Sequence, residues 1–315
     1  MTPIQHRDTA RDTIFGICIT LALLAGAATI PVLGLIAIFV LPLPVLVYRL
    51  RLGRVGGAVV PAVALAIMAM VLGGASLDLF LFLGLLLLGY ILGESLERDF
   101  SLEKTVIAAC GGLTLAGVVI LFFYSRVAGV GIPELVSGYV AEYLSLYQAA
   151  VNTMEITEET RQALPASIEL LEYTIVRVLP GVVISGILFT AWVTLLLART
   201  VLRRLGLALE NFGELTRWRA PEILVWGVVG CGILLLFPVA ALKLIGINGL
   251  MIVLQVYFFQ GIAIVAFFFE KKRVPQVIRW GLYILLTLQP FVLLIVIGLG
   301  FFDMWLNVRK LEDLP

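Results

Sequence analysis

Long uninterrupted apolar runs are the feature that most limits what this chain can fold into. A membrane-spanning helix needs about 20 predominantly apolar residues. We place nine candidate spans at residues 13–30, 32–49, 57–73, 76–94, 105–126, 175–198, 222–243, 247–269 and 277–303. Charged residues make up only 14% of the 315 residues, whereas a soluble domain carries about 25%. The sequence therefore predicts an all-α, polytopic transmembrane helical bundle that forms a single membrane domain over residues 1–315.

Prolines near the N-terminal end leave the number of crossings at eight or nine. Pro31 and the short separation of the first two runs allow either a tight hairpin or one broken, partly re-entrant element. Pro42 and Pro44 interrupt the second run, because proline removes a backbone donor and clashes with the preceding helical turn.

Basic residues collect in alternate gaps between the runs and predict the orientation. Positive residues face the cytoplasm, so we expect the N-terminus, with a leader over residues 1–12, and the loop 199–221 on the cytoplasmic side of a bacterial inner membrane. Residues 127–174 hold seven glutamates and one arginine and are predicted to form an extracytoplasmic amphipathic loop, with Pro165 marking a break before the next helix. Nine crossings leave the tail with Arg309 outside, against the same rule.

Residue types that carry metal or covalent chemistry are sparse. The chain has one histidine, His6, and three cysteines, Cys18, Cys110 and Cys231, each in a separate apolar run. This spacing fits neither a disulfide framework nor a zinc site, and we find no nucleophile elbow, P-loop, HExxH or CxxC pattern. We therefore expect no enzyme activity, no catalytic residue, no metal and no cofactor. The scattered basic clusters and the net charge of +1 predict the lipid bilayer, and not nucleic acid, as the partner.

Small residues four positions apart mark candidate seams between helices. Close approach of backbones is a main source of helix association in membranes. The candidate pairs are Ala22 with Gly26, Gly53 with Gly57, and Gly89 with Gly93. These pairs either pack helices of this chain together or form a seam for a partner subunit.

Polar residues inside one late apolar run are candidates for lining a ligand site. They are Asn248, Gln255, Tyr257 and Gln260. Asn248 and Gln255 are seven residues apart and share a helix face, whereas Gln260 is rotated away from them. A glutamine within the bilayer needs hydrogen bonds, which either a neighbouring helix or a ligand supplies.

A tyrosine stripe marks the amphipathic stretch 133–151, which lacks enough apolar sequence to span the membrane. Tyr139, Tyr143 and Tyr147 repeat every four residues, so a helix presents them on one side. Tyrosine anchors helices well at a membrane interface. The stretch therefore lies on the outer membrane surface or forms a lid over a pocket that opens outward.

Four stretches, in this order, carry a resemblance to a known family. They are LPLPVLVYRLRLGRVGG, RAPEILVWG, NGLMIVLQVYFFQGIAIVAFFFEKK and GLGFFDMWLNVRKL. The chain resembles the YybS-like family of predicted bacterial membrane proteins of unknown function. That family in turn resembles the substrate-capture subunits of energy-coupling-factor transporters. This resemblance implies a helical bundle that holds a small molecule near the outer face and works with a membrane coupling subunit and two ATPases.

Two functions follow from these patterns. The first is a small-molecule transporter or substrate-capture subunit, with an unknown ligand, that uses the helix around 248–260 and the tyrosine stretch. The second is a non-transporting membrane scaffold or assembly factor that binds other membrane or cytoplasmic proteins. A transporter needs a polar cavity that opens to the outer face, whereas a scaffold can be solidly packed with its polar residues bonded to each other.

Overall fold

The computed structural model of the chain describes residues 9–73, 77–154, 157–207 and 215–309. All regular secondary structure in these ranges is helical, which confirms the predicted all-α class. The α-helices are α1 (Thr9–Thr29), α2 (Pro31–Val40), α3 (Pro42–Val71), α4 (Leu77–Glu97), α5 (Leu102–Ala128), α6 (Ile132–Asn152), α7 (Glu158–Arg204), α8 (Leu224–Leu236), α9 (Ala240–Lys271), α10 (Gln276–Leu288) and α11 (Pro290–Leu306). A short 3₁₀ helix covers Leu215–Arg217.

Six helical segments of the described chain are long and apolar enough to cross a membrane. They are Thr9–Thr29, Ile36–Val71, Leu79–Glu97, Leu102–Ala128, Glu158–Arg204 and Ala240–Lys271, and Leu224–Leu236 and Pro290–Leu306 are shorter apolar helices. The chain is therefore a multi-pass helical membrane protein, and the count of eight or nine crossings stays a prediction.

The helices divide between two compact units. Unit 1 comprises residues 1–118 and 186–212, and unit 2 comprises residues 119–185 and 213–315. The boundary crosses α5 and α7. The division does not test whether residues 1–315 form a single membrane domain, and that stays a prediction.

Helix α3 of unit 1 folds back on itself at Gly53. This glycine has φ +74° and ψ −171°, a backbone conformation that residues with a Cβ rarely adopt. A Cβ placed on Gly57 would lie 2.6 Å from the Cα of Arg49, although residues eight apart on an unbroken helix are about 12 Å apart. The predicted runs 32–49 and 57–73 are thus joined by a reversal of the chain in the segment between them, which is rich in arginine and glycine.

Helices α1 and α4 pack against this reversed α3. A Cβ on Gly16 of α1 would lie 2.9 Å from the Tyr48 ring and 3.1 Å from Val60, so α1 touches α3 on both sides of Gly53. The apolar centre of unit 1 consists of Leu24, Leu41, Val45, Ala64, Met68, Phe82, Leu85 and Leu86. Inside a lipid bilayer, such packing stabilises helix association through close van der Waals contact.

Helix α9 is the axis of unit 2. Helix α8 lies antiparallel to it, with close approaches of Gly227 to Val253, Cys231 to Gly249 and Leu235 to Gly246. Helix α11 is also antiparallel to α9, since Gly261 approaches Val296 and Gly300 approaches the carbonyl of Tyr257. The α8 contacts fall on the first half of α9 and the α11 contacts on the second half.

The structure corrects three predicted boundaries at prolines. The run 277–303 is interrupted at Gln289, which has an extended backbone before Pro290. A proline disfavours the helical conformation of the residue that precedes it. The run 222–243 ends its first helix at Leu236, just before Pro238. Pro165 breaks nothing, since α7 continues through it. Most of the predicted loop 127–174 is therefore helical, formed by α6 and the start of α7.

Two other predicted segments are partly described. Residues 9–12 of the leader belong to α1, and residues 1–8 lie outside the described residues. Residues 199–204 of the predicted cytoplasmic loop 199–221 extend α7. Residues 208–214 of the same loop lie outside the described residues.

Candidate functional site

The side-chain amide of Asn248 is inserted into the backbone of α7. Its Oδ1 accepts a hydrogen bond from the Gly181 N–H at 2.5 Å, and its Nδ2 donates to the Arg177 carbonyl at 2.9 Å. In a regular helix these two backbone groups bond to each other. Pro180 lies beside these groups and has no N–H of its own. Asn248 therefore joins α9 to the backbone of α7, which is continuous here.

Asn248 leaves little polar capacity for a ligand. Its Nδ2 also donates to the Leu244 carbonyl at 2.8 Å, so both kinds of amide atom have protein partners. A Cβ on Gly181 would lie 2.7 Å from the Asn248 Oδ1. The two helices approach closely here because residue 181 has no side chain.

Gln255 and Ser185 differ from Asn248 in having buried polar atoms that the chain leaves unpaired. Within the described residues, the Gln255 Nε2 and the Ser185 Oγ are inaccessible to solvent and have no hydrogen-bond partner. Such a group costs about 1–3 kcal/mol when it is left without a partner. A third such atom of unit 2, the Arg309 Nε, belongs to the side chain that is paired with Asp303. The Gln255 Nε2 and the Ser185 Oγ are the two on neutral side chains, and these are the positions that a ligand would complete.

Gln260 is fully buried and is bonded to two other segments of unit 2. Its Oε1 accepts from the Ala220 N–H at 3.2 Å, and its Nε2 donates to the Asp303 carboxylate at 3.2 Å. The sequence singled out Gln260 as a ligand-lining candidate, and the structure gives it one hydrogen bond to α11 and one to the segment between α7 and α8.

Asp303 and Arg309 form a buried ion pair beside Gln260. Their Oδ2 and Nη2 atoms are 2.9 Å apart, and neither side chain is exposed. Arg309 also donates from Nη1 to the carbonyls of Thr216 and Trp218, at 2.8 and 3.0 Å. Buried backbone carbonyls outside regular helices need such partners. Arg309 thus satisfies carbonyls in the segment between α7 and α8.

These contacts bring the C-terminal tail to the predicted cytoplasmic loop 199–221. Arg309 contacts Thr216 and Trp218, and Arg219 is hydrogen-bonded to Asn307. The nine-crossing count instead places the tail and this loop on opposite sides of the membrane. It counted 277–303 as one full span, whereas α11 starts only at Pro290 and ends beside Gln260.

Tyr257 contributes to the packing of α9 against α11. Its side chain is fully buried, its ring meets that of Phe301 with centroids 5.2 Å apart, and its hydroxyl lies 3.8 Å from the Met304 sulfur. Its contacts are thus with apolar and sulfur groups of α11.

The predicted tyrosine stripe lies on one helix, α6, and is exposed. Tyr139, Tyr143 and Tyr147 are 38%, 57% and 54% accessible. The Tyr139 hydroxyl lies 3.4 Å from that of Tyr124 at the end of α5. This hydrogen bond raises the pKa of Tyr139 above its usual value. The stripe is therefore free to contact a surface outside the chain.

The small residues have different environments within unit 1. Gly53 forms the reversal of α3, and Gly57 packs against Arg49. A Cβ on Gly89 would clash with the Pro42 backbone, and one on Gly93 would lie 2.8 Å from the Arg49 Cγ. Ala22 is exposed and Gly26 is half-buried on α1.

Arg49 is the centre of a polar network that the sequence analysis missed. Its side chain is fully buried and is paired with Glu94 and, at 2.6 Å, with Glu97. Glu94 is also 2.8 Å from both Arg54 and Arg98. The signal available in the sequence was an arginine within one apolar run and two glutamates, three apart, at the end of another. Their separation along the chain hid the pairing.

The described residues contain no group of three or more His, Cys, Asp or Glu side chains arranged to hold a metal ion. The arrangement in unit 2 offers neutral hydrogen-bonding groups within an apolar bundle. Such an arrangement suits binding of an uncharged polar group.

The fold and its buried polar contacts define a polytopic α-helical membrane protein. Residues 18–304 match the family described as "Predicted membrane protein (DUF2232)", and the chain belongs to this family. It is similar to "Uncharacterized protein YybS" of Bacillus subtilis (strain 168), with 24% identity over 291 residues that cover 89% of this chain and 91% of the relative. The predicted YybS-like family is thus confirmed. No solved structure matches the chain.

Proposed function

We propose that this protein is a small-molecule transporter, or the substrate-capture membrane subunit of one, and not an enzyme. The observation that carries the proposal is the pair of buried, unpaired polar atoms on Gln255 and Ser185. Polar side chains inside a membrane protein are costly and usually belong to a path or site for a polar molecule.

Interrupted helices in unit 2 support the same function. Helix α7 contains Pro180 and is contacted beside it by the Asn248 amide, α8 stops before Pro238, and an extended residue separates α10 from α11. Discontinuous helices surround the substrate site in many secondary transporters, because broken backbone exposes polar groups at membrane depth. The same breaks give a bundle the freedom to change shape around a substrate.

The proposed setting is a bacterial inner membrane with the N-terminus and the loop 199–221 in the cytoplasm. We also place the C-terminal tail in the cytoplasm, because Arg309 and Asn307 contact residues 216–219 of that loop. This arrangement follows the positive-inside rule at both ends of the chain. The extracytoplasmic side then holds α6 and the acidic start of α7.

Comparison of culture media tests the transport function. We would follow the depletion of small polar compounds from the medium by host cells that carry the wild-type gene, a deletion, or a Gln255→Leu allele. Transport predicts at least one compound that only the wild type depletes. Gln289→Leu is the matched control, because Gln289 is exposed. A medium that the deletion strain depletes as the wild type does would contradict transport.

The substrate-capture form of this function predicts particular protein partners. The tagged protein, isolated from its own host in mild detergent, is expected to bring with it a membrane coupling subunit and two ATPases. Recovery of a transport-competent chain without ATPases would contradict the substrate-capture form. It would support a transporter that works by itself.

A membrane scaffold is the second candidate, and one observation favours it. Asn248 and Gln260 bond to their own chain instead of facing an open site. A scaffold predicts that other envelope or cytoplasmic proteins are recovered reproducibly with the tagged chain. It also predicts that Gln255→Leu leaves their recovery unchanged.

A further inference from the structure

The two neutral unpaired groups of unit 2, on Ser185 and Gln255, lie on the facing sides of α7 and α9. Arg177, Gly181 and Ser185 are spaced by four residues and share the side of α7 that meets Asn248. Gln255 is seven residues beyond Asn248 and shares its side of α9. The Asn248 bridge fixes which sides of the two helices face each other. Ser185 and Gln255 therefore border the same seam.

The two groups also lie at similar levels along the seam. Both helices end in basic residues, Arg203 and Arg204 on α7 and Lys271 on α9, so the positive-inside rule makes them parallel. From the Asn248 bridge, Ser185 is one turn farther along α7 and Gln255 two turns farther along α9, a difference of about 5 Å. A glutamine on a helix leans toward the N-terminal end, which shortens that difference.

The residues at the seam are small, and the one charge named on this side of α7, that of Arg177, is directed toward Tyr173. Gly181 lacks a side chain, and Ser185 is small. The nearby Arg177 guanidinium lies over the Tyr173 ring, with 3.3 Å from its central carbon to the ring centroid, and donates to the Tyr173 carbonyl. The groups that remain are an amide donor and a hydroxyl, which is both donor and acceptor.

We propose that the seam between α7 and α9 binds a small neutral molecule through an acceptor oxygen or nitrogen placed between Gln255 and Ser185. The Gln255 Nε2 donates to that acceptor, and the Ser185 hydroxyl completes the contact as donor or acceptor. A charged ligand does not fit between Gln255 and Ser185, because a desolvated charge needs an opposite charge there. The guanidinium of Arg177, on this side of α7, lies over the Tyr173 ring instead. Asn248 acts here as a positioning residue that holds the two helices at this spacing. The site rests on the proposed function only in naming its ligand as a substrate.

Binding by the purified full chain tests the site apart from transport. Detergent-purified protein is exposed to the low-molecular-weight fraction of a host-cell extract and washed, and the retained compounds are identified by mass spectrometry. The seam variant carries Gln255→Leu and Ser185→Ala. The matched control carries Gln289→Leu and Ser167→Ala, which make the same chemical changes at exposed positions. The two seam substitutions are also measured singly, so that a folding defect in one leaves the other as the test.

We expect wild type and control to retain one or more neutral compounds at a level about tenfold above the seam variant, as the loss of one or two hydrogen bonds predicts. Equal retention by the seam variant would overturn the site, and so would retention of nothing or of charged compounds only. Retention at the seam without depletion of the compound from culture medium would overturn transport and leave the site intact. Depletion that continues in the seam variant would overturn the site and leave transport intact.

Discussion

The Asn248 Oδ1 accepts a hydrogen bond from the backbone N–H of Gly181, at 2.5 Å. This contact joins α9 to α7 beside Pro180, at a backbone N–H that a regular helix pairs with the Arg177 carbonyl. It also makes Asn248 a structural residue of the α7–α9 seam and leaves Gln255, on the same side of α9, as the residue with an unpaired amide. The two amides, alike in sequence pattern, thus have different roles.

Tight packing at Gly89 predicts a sharp difference between two glycines of α4. A Cβ on Gly89 meets the Pro42 backbone, whereas a Cβ on Gly84 has no neighbour within 4 Å. Gly89→Ala should destabilise the protein by about 1–3 kcal/mol, as overpacking does, and Gly84→Ala should be neutral or slightly stabilising. Thermal unfolding in detergent measures both. Equal effects of the two substitutions would contradict the packing of α4 against α3.

The Arg49 network predicts that replacing Arg49 lowers the free energy of unfolding far more than replacing Arg54 does. Arg49→Leu leaves two carboxylates without their buried partner and should cost about 3 kcal/mol or more. Arg54→Leu removes an arginine whose side chain is 59% exposed and should cost about 1 kcal/mol or less. Chemical unfolding of the two variants, followed by tryptophan fluorescence, gives the comparison. A larger effect for Arg54→Leu would show that Arg49 is not the centre of the network.

The tail contacts predict that the C-terminus faces the cytoplasm. A fluorescent protein that matures only in the cytoplasm, fused to the C-terminus, should fluoresce. An alkaline phosphatase fused at the same place should be inactive. The same phosphatase inserted between α6 and α7 should be active, because that connection is proposed to lie outside. An active C-terminal phosphatase would contradict a cytoplasmic C-terminus and support the predicted nine crossings.

The exposed tyrosine stripe of α6 predicts contact with lipid. Helix α6 follows the apolar helix α5 after a short connection, so its apolar side is close to a membrane interface. A single tryptophan at Tyr143, with the five native tryptophans replaced by phenylalanine, should be quenched by brominated zwitterionic lipids. A tryptophan at Ser145, on the polar side of α6, is the control. Equal quenching at both positions would remove the surface-helix interpretation, and protection of position 143 from lipid would favour the lid.

Sequence patterns predicted the helical membrane class, the family and the separation of the runs 32–49 and 57–73, because apolar length is a local property. The pattern also placed Asn248 and Gln255 on one side of a helix. It did not distinguish them, since the difference depends on α7, where Gly181 and Arg177 lie opposite Asn248 about 70 residues away in sequence. The Arg49 network and the Arg309 contacts were missed for the same reason. Pro180 was the visible local signal of a helix that needs an outside hydrogen bond.

The stability of the Gln255→Leu protein, purified without added ligand, is the most direct test of an unfilled polar site. Leucine has a similar volume and removes a buried donor that lacks a partner, so the account predicts a Tm above that of the wild type. Asn248→Leu is the matched comparison and should lower Tm, because it strands the Gly181 N–H and the Arg177 carbonyl. A Gln255→Leu protein that loses Tm as Asn248→Leu does would show that Gln255 is a structural residue, and it would contradict the ligand site.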